Sequence, residues 1–140
     1  MPSAQRSGGR SIVIQGVLLL GLCGVPAAAA ETEPPLTLVG PGVKSVLVIA
    51  DGWKQGAWFD WGGHAILQRY FKLVTGQDVP VVEASRLPPA EAEKYDCRIW
   101  IGRQPRVEES LGKDLESLDA DGFLIRRRGR DVYVAGKFWW

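Results

Sequence analysis

The chain has 140 residues, and its 17 Lys and Arg nearly balance its 16 Asp and Glu, giving a formal net charge of +1 at pH 7. This balance gives no electrostatic reason to expect binding to nucleic acid or to an anionic membrane. Of the two Cys, Cys23 lies within the first thirty residues, and the one His and one Cys that follow are too few to supply the three or four ligands of a typical zinc site. The sequence therefore predicts no metal and no other cofactor.

The first thirty residues have the three parts of a secretion signal. Arg6 and Arg10 form a positive start, residues 12–25 are mainly apolar, and a small-residue run ending at Ala30 fits a cleavage site. The apolar stretch is shorter than the roughly 20 residues that span a bilayer, and an uncleaved anchor is the alternative. We expect residues 1–30 to be a signal peptide and the mature protein to be exported, periplasmic or extracellular, without stable membrane insertion.

Residues 31–140 are long enough for a single domain with one core. The signal holds two of the 17 basic residues and no acidic ones, so the remainder carries a net charge of −1. We expect a polar, Pro-containing linker over 31–43 and one domain over 44–140. Cys97, the one cysteine that remains, sits in an apolar run and is predicted to be a small buried side chain with no reactive role.

Hydrophobic patterning predicts the elements of this domain in chain order. Residues 36–39 suggest a short strand, 44–50 a strand buried on both faces, and 61–75 a helix with Asp60 as its N-cap and Gly76 as its left-handed end. The later elements are an edge strand entered through Pro80 (79–83), a loop or helical turn (87–94), a strand (97–101), a weaker helix or irregular connection (106–118) and a hairpin (121–128 with 131–135) around Gly129–Arg130.

The order of these elements predicts an α+β fold. It has a small mixed sheet of about five strands, one main helix packed on one face, and a C-terminal β-hairpin. The predicted core consists of Val46, Val48, Leu67, Phe71, Val74, Ile99, Ile101, Phe123, Ile125, Val132 and Val134.

Three segments occur together in a characteristic order. They are residues 67–82 (LQRYFKLVTGQDVPVV), 99–102 (IWIG) and 121–137 (DGFLIRRRGRDVYVAGK). In this order and spacing they resemble the N-terminal domain of alpha-glucuronidases and of related large secreted bacterial glycoside hydrolases. The same domain type precedes the catalytic barrel of beta-N-acetylhexosaminidases. The resemblance covers residues 44–137.

The resemblance implies a hexosaminidase domain-2-like fold and a non-catalytic N-terminal accessory domain of an exported, carbohydrate-active glycoside hydrolase. Its partner would be a downstream catalytic barrel in a longer product. The substrate of that enzyme would be a poly- or oligosaccharide. No catalytic residue can be carried over, because the family's catalytic acids belong to the barrel. The alternative is a free-standing extracytoplasmic glycan-binding or protein-interaction module.

The resemblance also places a helix after the strand like residues 132–135, packed on the same sheet. The present sequence ends at Trp140, shortly after that strand. We therefore expect the domain to be incomplete at its C-terminus. One sheet face should then lack part of its cover.

Five tryptophans flank predicted elements and are candidates for glycan or interdomain contact, because their flat faces suit both sugar rings and apolar interfaces. They are Trp53, Trp58, Trp61, Trp139 and Trp140.

Two further features contain residue types that often act in catalysis, namely carboxylates and a histidine. The acid-rich stretch from Glu108 to Asp121 could hold the paired carboxylates of a glycosidase, but a solvated surface segment is the favoured interpretation. His64, beside Gly62–Gly63, is interpreted as a surface or capping residue.

Overall fold

The computed structural model describes residues 12–14, 33–53 and 62–137. The elements in chain order are β1 (Ile12–Ile14), β2 (Leu36–Val39), β3 (Ser45–Ile49), α1 (Gly63–Thr75), β4 (Val81–Glu83), a 3₁₀ turn (Ala84–Arg86), α2 (Pro89–Ala92), β5 (Cys97–Ile101), α3 (Pro105–Glu116), β6 (Phe123–Arg128) and β7 (Asp131–Gly136).

Five of the strands form one mixed sheet in the order β4-β3-β5-β7-β6. Neighbours among β4, β3, β5 and β7 run parallel, whereas β6 runs antiparallel to β7 in the C-terminal hairpin. This confirms the predicted mixture of helix and strand, the five-stranded mixed sheet and the hairpin. The apolar run of β3 lies in the interior with every residue buried, and the Pro80-led strand β4 lies at an edge, both as predicted.

Helix α1 covers one face of the sheet and ends where the sequence indicates. The backbone of Gly76 is left-handed, with φ of +74°, and its N–H donates to the carbonyl of Lys72 at 2.8 Å. The start differs from the prediction, because Gly62 is the N-cap and the helix begins at Gly63. The predicted cap, Asp60, lies outside the described residues.

The opposite face carries a second helical layer. Val107, Leu111 and Leu115 of α3 recur every four residues, and all three are buried against that face together with α2. The stretch predicted as a weaker helix or irregular connection is thus a regular helix of 12 residues. Both sides of the sheet therefore have a core, which we name the α1-side and the α3-side core.

Six predicted core residues are buried, namely Val46, Val48, Phe71, Ile99, Ile101 and Val132. Leu67, Val74 and Val134 are half-buried. Phe123 and Ile125 were predicted to be buried, and this is wrong: they are 70% and 55% exposed. Both lie on β6 at the edge of the sheet, and it is Leu124 on the other face that packs against the α3-side core.

The chain before β3 also contributes to the fold. Within the expected linker over 31–43, residues 36–39 form β2, and Leu38 and Val39 are buried in the α1-side core. This part of the expected linker is therefore packed on the domain. β2 pairs antiparallel with β1, which falls within the expected signal peptide.

Cys97 is fully buried in the α1-side core, as predicted. Burial, with a smaller contribution from Asp131, raises the pKa of its thiol to about 12. In a Cys23→Ser chain, where Cys97 is the one thiol, we expect Ellman's reagent at pH 8 to react at least about a hundredfold more slowly than in denaturant. Labelling of the native chain at the rate of the unfolded chain would contradict this burial.

Candidate functional site

Large apolar side chains are exposed on one side of the sheet only, among the residues that the structure describes. Ile66, Tyr70 and Leu73 lie on α1, and Phe123 and Ile125 lie on β6. The two β6 residues share the α1 side because Ile125 is paired with Val134, which packs against the α1-side core. We name these five residues the open apolar face.

The helical part of the open apolar face is a single stripe. Ile66, Tyr70 and Leu73 follow the i, i+4, i+7 spacing of one helix side. On the opposite side of α1, the amide of Gln68 donates to the carbonyl of Val79 at 2.7 Å, just before edge strand β4. The stripe therefore lies on the side of α1 away from β4, and Leu73 within it is 84% exposed.

The N-terminal segment covers the amino end of this side of the sheet. The Ser45 hydroxyl donates to the carbonyl of Leu38, and Arg127 donates to the carbonyl of Pro34 and pairs with Glu33. These contacts lie at the start of β3 and at the end of β6, far from Phe123. Phe123, at the other end of β6, stays exposed, and exposed apolar surface of this kind marks an interaction site.

Trp53 lies at the carboxyl edge of the sheet, directly after β3, and is half-buried. Its indole packs on Gly102, whose φ is +77°, and a Cβ added there would lie 2.9 Å from Trp53 Cη2. Glycine is therefore required at this position both for its backbone conformation and for its lack of a side chain.

His64 also lies beside the Trp53 indole. The interpretation of His64 as a surface or capping residue is wrong: it is 1% exposed, and its ring centroid lies 5.9 Å from that of Trp53. The two rings join the start of α1 to the end of β3. Trp53 thus has a packing role within the domain.

The other four candidate tryptophans, Trp58, Trp61, Trp139 and Trp140, lie outside the described residues. The last described residues before them in the sequence are Trp53, after β3, and Lys137, after β7. Because β3 and β7 run in the same direction, both points belong to the carboxyl edge of the sheet.

A buried ionic cluster, not anticipated from the sequence, ties β5 and β7 to α3. One carboxylate oxygen of Asp131 accepts from Arg98 Nε at 2.6 Å and from Trp100 Nε1 at 2.8 Å, and the other from Arg106 at 3.2 Å. Arg98 and Asp131 are both buried. The Arg106 guanidinium also lies 5.2 Å from the Trp100 ring centroid, within cation–π range. The cluster fixes the relative position of three elements.

Three acids of the stretch from Glu108 to Asp121 take part in surface ion pairs. Glu108 and Glu116 both pair with Arg103, and Asp114 pairs with Arg126. The hydrogen bond from Arg103 lowers the pKa of Glu108. A glycosidase acid needs the opposite shift, so this pairing favours a structural role.

No group of His, Cys, Asp and Glu among the described residues is arranged to hold a metal ion. Within the same residues, no helix has the length and apolar character needed to cross a bilayer. No protein-family model, curated protein or solved structure matches the chain.

Proposed function

We propose that the chain is a non-catalytic accessory domain of an exported, carbohydrate-active glycoside hydrolase, and that it packs against the rest of that enzyme through the open apolar face. The observation that carries the proposal is the confinement of exposed large apolar side chains, among the described residues, to one side of the sheet. A surface of this kind costs about 25 cal/mol per Å² while it remains in water. Covering it against another domain removes that cost.

Three acidic groups of the described residues have a pKa shift opposite to the one that a glycosidase acid needs. A retaining or inverting glycosidase needs two facing carboxyl groups, one of them with a raised pKa. Here the pKa shifts of Asp51, Glu93 and Glu108 are all downward, because each accepts hydrogen bonds from N–H groups. The glycosidase assignment itself rests on the sequence resemblance.

Incubating the purified chain with xylan-derived and amino-sugar oligosaccharides separates catalysis from an accessory role. We expect no hydrolysis, because the chemistry belongs to another domain. Release of reducing sugar by the isolated chain, above the level of a heat-denatured sample, would overturn the proposal.

The docking role predicts how a charge in the open apolar face behaves. Leu73→Glu should change the free energy of unfolding by less than about 0.5 kcal/mol, because Leu73 is an exposed side chain. The same substitution should markedly lower the concentration-dependent self-association of the isolated chain, measured by sedimentation velocity.

Ala90→Glu is the matched control, because Ala90 is exposed on α2, on the other side of the sheet. The change in charge is the same. It should leave self-association unchanged. Equal effects of the two substitutions, or a wild-type chain that stays monomeric at all concentrations, would contradict a docking role for the open apolar face.

A further inference from the structure

The outer edge of β6 is an open strand edge. β6 is the last strand in the order of the sheet, and β7 is its one neighbour among the described strands. Its six residues pair with β7 without a shift of register, and none of them is proline. Proteins usually blunt such an edge with a short strand, a proline, a bulge or a covering element. The opposite edge strand, β4, has three residues and follows Pro80, so β6 lacks protection that β4 has.

The hydrogen-bond pattern determines which backbone groups of β6 face outward. The N–H of Lys137 donates to the carbonyl of Gly122 at 3.1 Å, just beyond the end of the paired strands. Hydrogen-bonded and non-hydrogen-bonded pairs alternate in an antiparallel ladder, so the even-numbered residues of β6 bond to β7. Phe123, Ile125 and Arg127 therefore direct their N–H and C=O groups away from β7.

The pairing of β7 with β5 gives the same result independently. Val134 lies opposite Ile125, and its carbonyl accepts from the N–H of Gly102 at 2.9 Å, on the side of β7 away from β6. The pair of Ile125 and Val134 is therefore a non-hydrogen-bonded one. The outward N–H and C=O groups of β6 form one side of a ladder, which another extended strand completes.

The side chains of β6 indicate the chemistry of such a strand. Phe123 and Ile125 are exposed on the α1 side, where a neighbouring strand would cover them with apolar side chains. On the α3 side, Arg126 pairs with Asp114 at 3.5 Å, whereas Arg128 is exposed and makes no ion pair with the described residues. Acidic side chains on that side of the added strand would face the two guanidinium groups.

The same arginines disfavour a second copy of this chain as the occupant. Pairing of two β6 strands would place the arginines of residues 126–128 from both copies along one seam, and like charges on neighbouring strands are destabilising. Arg127 pairs with Glu33 on the α1 side, so the strand residue opposite Arg127 needs to be polar but not charged. A different chain, which alternates apolar with acidic residues, fits the edge better.

We propose that the outer edge of β6 accepts an extended acidic and apolar segment of a partner protein, which joins the sheet as an additional antiparallel strand. Antiparallel pairing is the slightly more stable arrangement per residue. The apolar side chains of the segment cover Phe123 and Ile125, and its carboxylates face Arg126 and Arg128. Because the contact is made by the backbone of β6, the proposal does not depend on the partner being a glycoside hydrolase.

Amide chemical shifts and hydrogen exchange of the ¹⁵N-labelled full chain test the proposal. The probe is the capped hexapeptide ETEVTV, whose valines lie opposite Phe123 and Ile125 in the antiparallel register. We expect saturable shifts in β6 and selectively slower exchange of the N–H groups of Phe123, Ile125 and Arg127, because the even-numbered amides are already bonded to β7. Saturable shifts confined to α1, slowing without this alternation, no saturable shift, or slowing that depends only on the concentration of the chain itself would overturn the proposal.

Two control peptides separate the charge of the strand from its backbone pairing. KTKVTV keeps the valines but places ammonium groups beside the arginines, and should bind at least about tenfold more weakly. ETEVTV that is N-methylated at its first valine has no N–H to donate to the carbonyl of Ile125, and should also bind at least about tenfold more weakly. Binding of either control as tight as that of ETEVTV would contradict the proposed strand.

Ile125→Pro tests the edge from the side of the protein. It removes the outward N–H of Ile125 but no hydrogen bond to β7, and proline is tolerated on an edge strand in such a position. Ile125→Ala is the matched control, since it loses the apolar side chain but keeps the N–H, and it should bind ETEVTV more tightly than Ile125→Pro. Equal binding by the two variants would overturn the proposal, and the N-methylated peptide decides the matter if Ile125→Pro does not fold.

Leu73→Glu separates this proposal from the docking role of the open apolar face. Leu73 lies on α1 and not on the β6 edge, so this variant should bind ETEVTV as the wild type does while its self-association falls. Loss of peptide binding in Leu73→Glu would show that the peptide binds to α1 and would contradict the edge site.

Discussion

Asp131→Ala is expected to lower the free energy of unfolding by about 3–5 kcal/mol, the usual cost of removing one partner from a buried ion pair. The substitution leaves the buried Arg98 without its closest carboxylate and Trp100 Nε1 without an acceptor. It also releases Arg106 from β7. Urea unfolding followed by tryptophan fluorescence measures the change.

Asp114→Ala provides the comparison, since it removes a carboxylate from an ion pair whose two side chains are both about half exposed. Exposed pairs contribute roughly 0–1 kcal/mol, so its effect should be small. If Asp131→Ala costs no more than Asp114→Ala, the cluster does not join β5, β7 and α3 as described.

Phe71→Ala is expected to cost about 3–5 kcal/mol, because it removes a large side chain from the α1-side core and leaves a cavity. Phe71 is buried, in contrast to Leu73 two residues later on the same helix. A loss of this size is a large share of a small domain's stability of about 5–15 kcal/mol.

Leu73→Ala is the control on the same helix, and should change the free energy of unfolding by less than about 0.5 kcal/mol. The two variants together test the rotation of α1 about its axis. A large loss for Leu73→Ala with a small one for Phe71→Ala would show that the helix presents its other side to the sheet.

Local signals predict most of the elements. The β-branched run of β3 indicates an interior strand, and Gly76 indicates the end of α1, because both depend on residues within a few positions of each other. The same holds for the turn at Gly129, which places β6 beside β7.

Which side of β6 is turned toward the core does not follow from residues that are close in the sequence. Phe123 and Ile125 alternate with Leu124, so the pattern predicts two faces but does not say which one another element covers. Arg126 and Arg128 share the face of Leu124, and their charges favour that face as the solvent side. In the structure Arg126 pairs with Asp114 of α3 across that face, so a long side chain covers the strand while its charge stays at the surface.

The polar clusters also depend on contacts between distant positions. Arg98 and Asp131 are 33 residues apart, and Gln104 reaches the carbonyl of Val48 across 56 residues. No spacing rule predicts such pairs.

An immunoblot of the source organism's periplasm and culture medium, with an antibody raised against residues 31–140, tests the proposed function most directly. We expect a band outside the cytoplasm that is much heavier than the 15.3 kDa of this chain, because an accessory domain is carried by its enzyme. The immunoprecipitate should also hydrolyse a polysaccharide substrate. A single band at or below 15.3 kDa, or a product confined to the cytoplasm, would contradict the proposal.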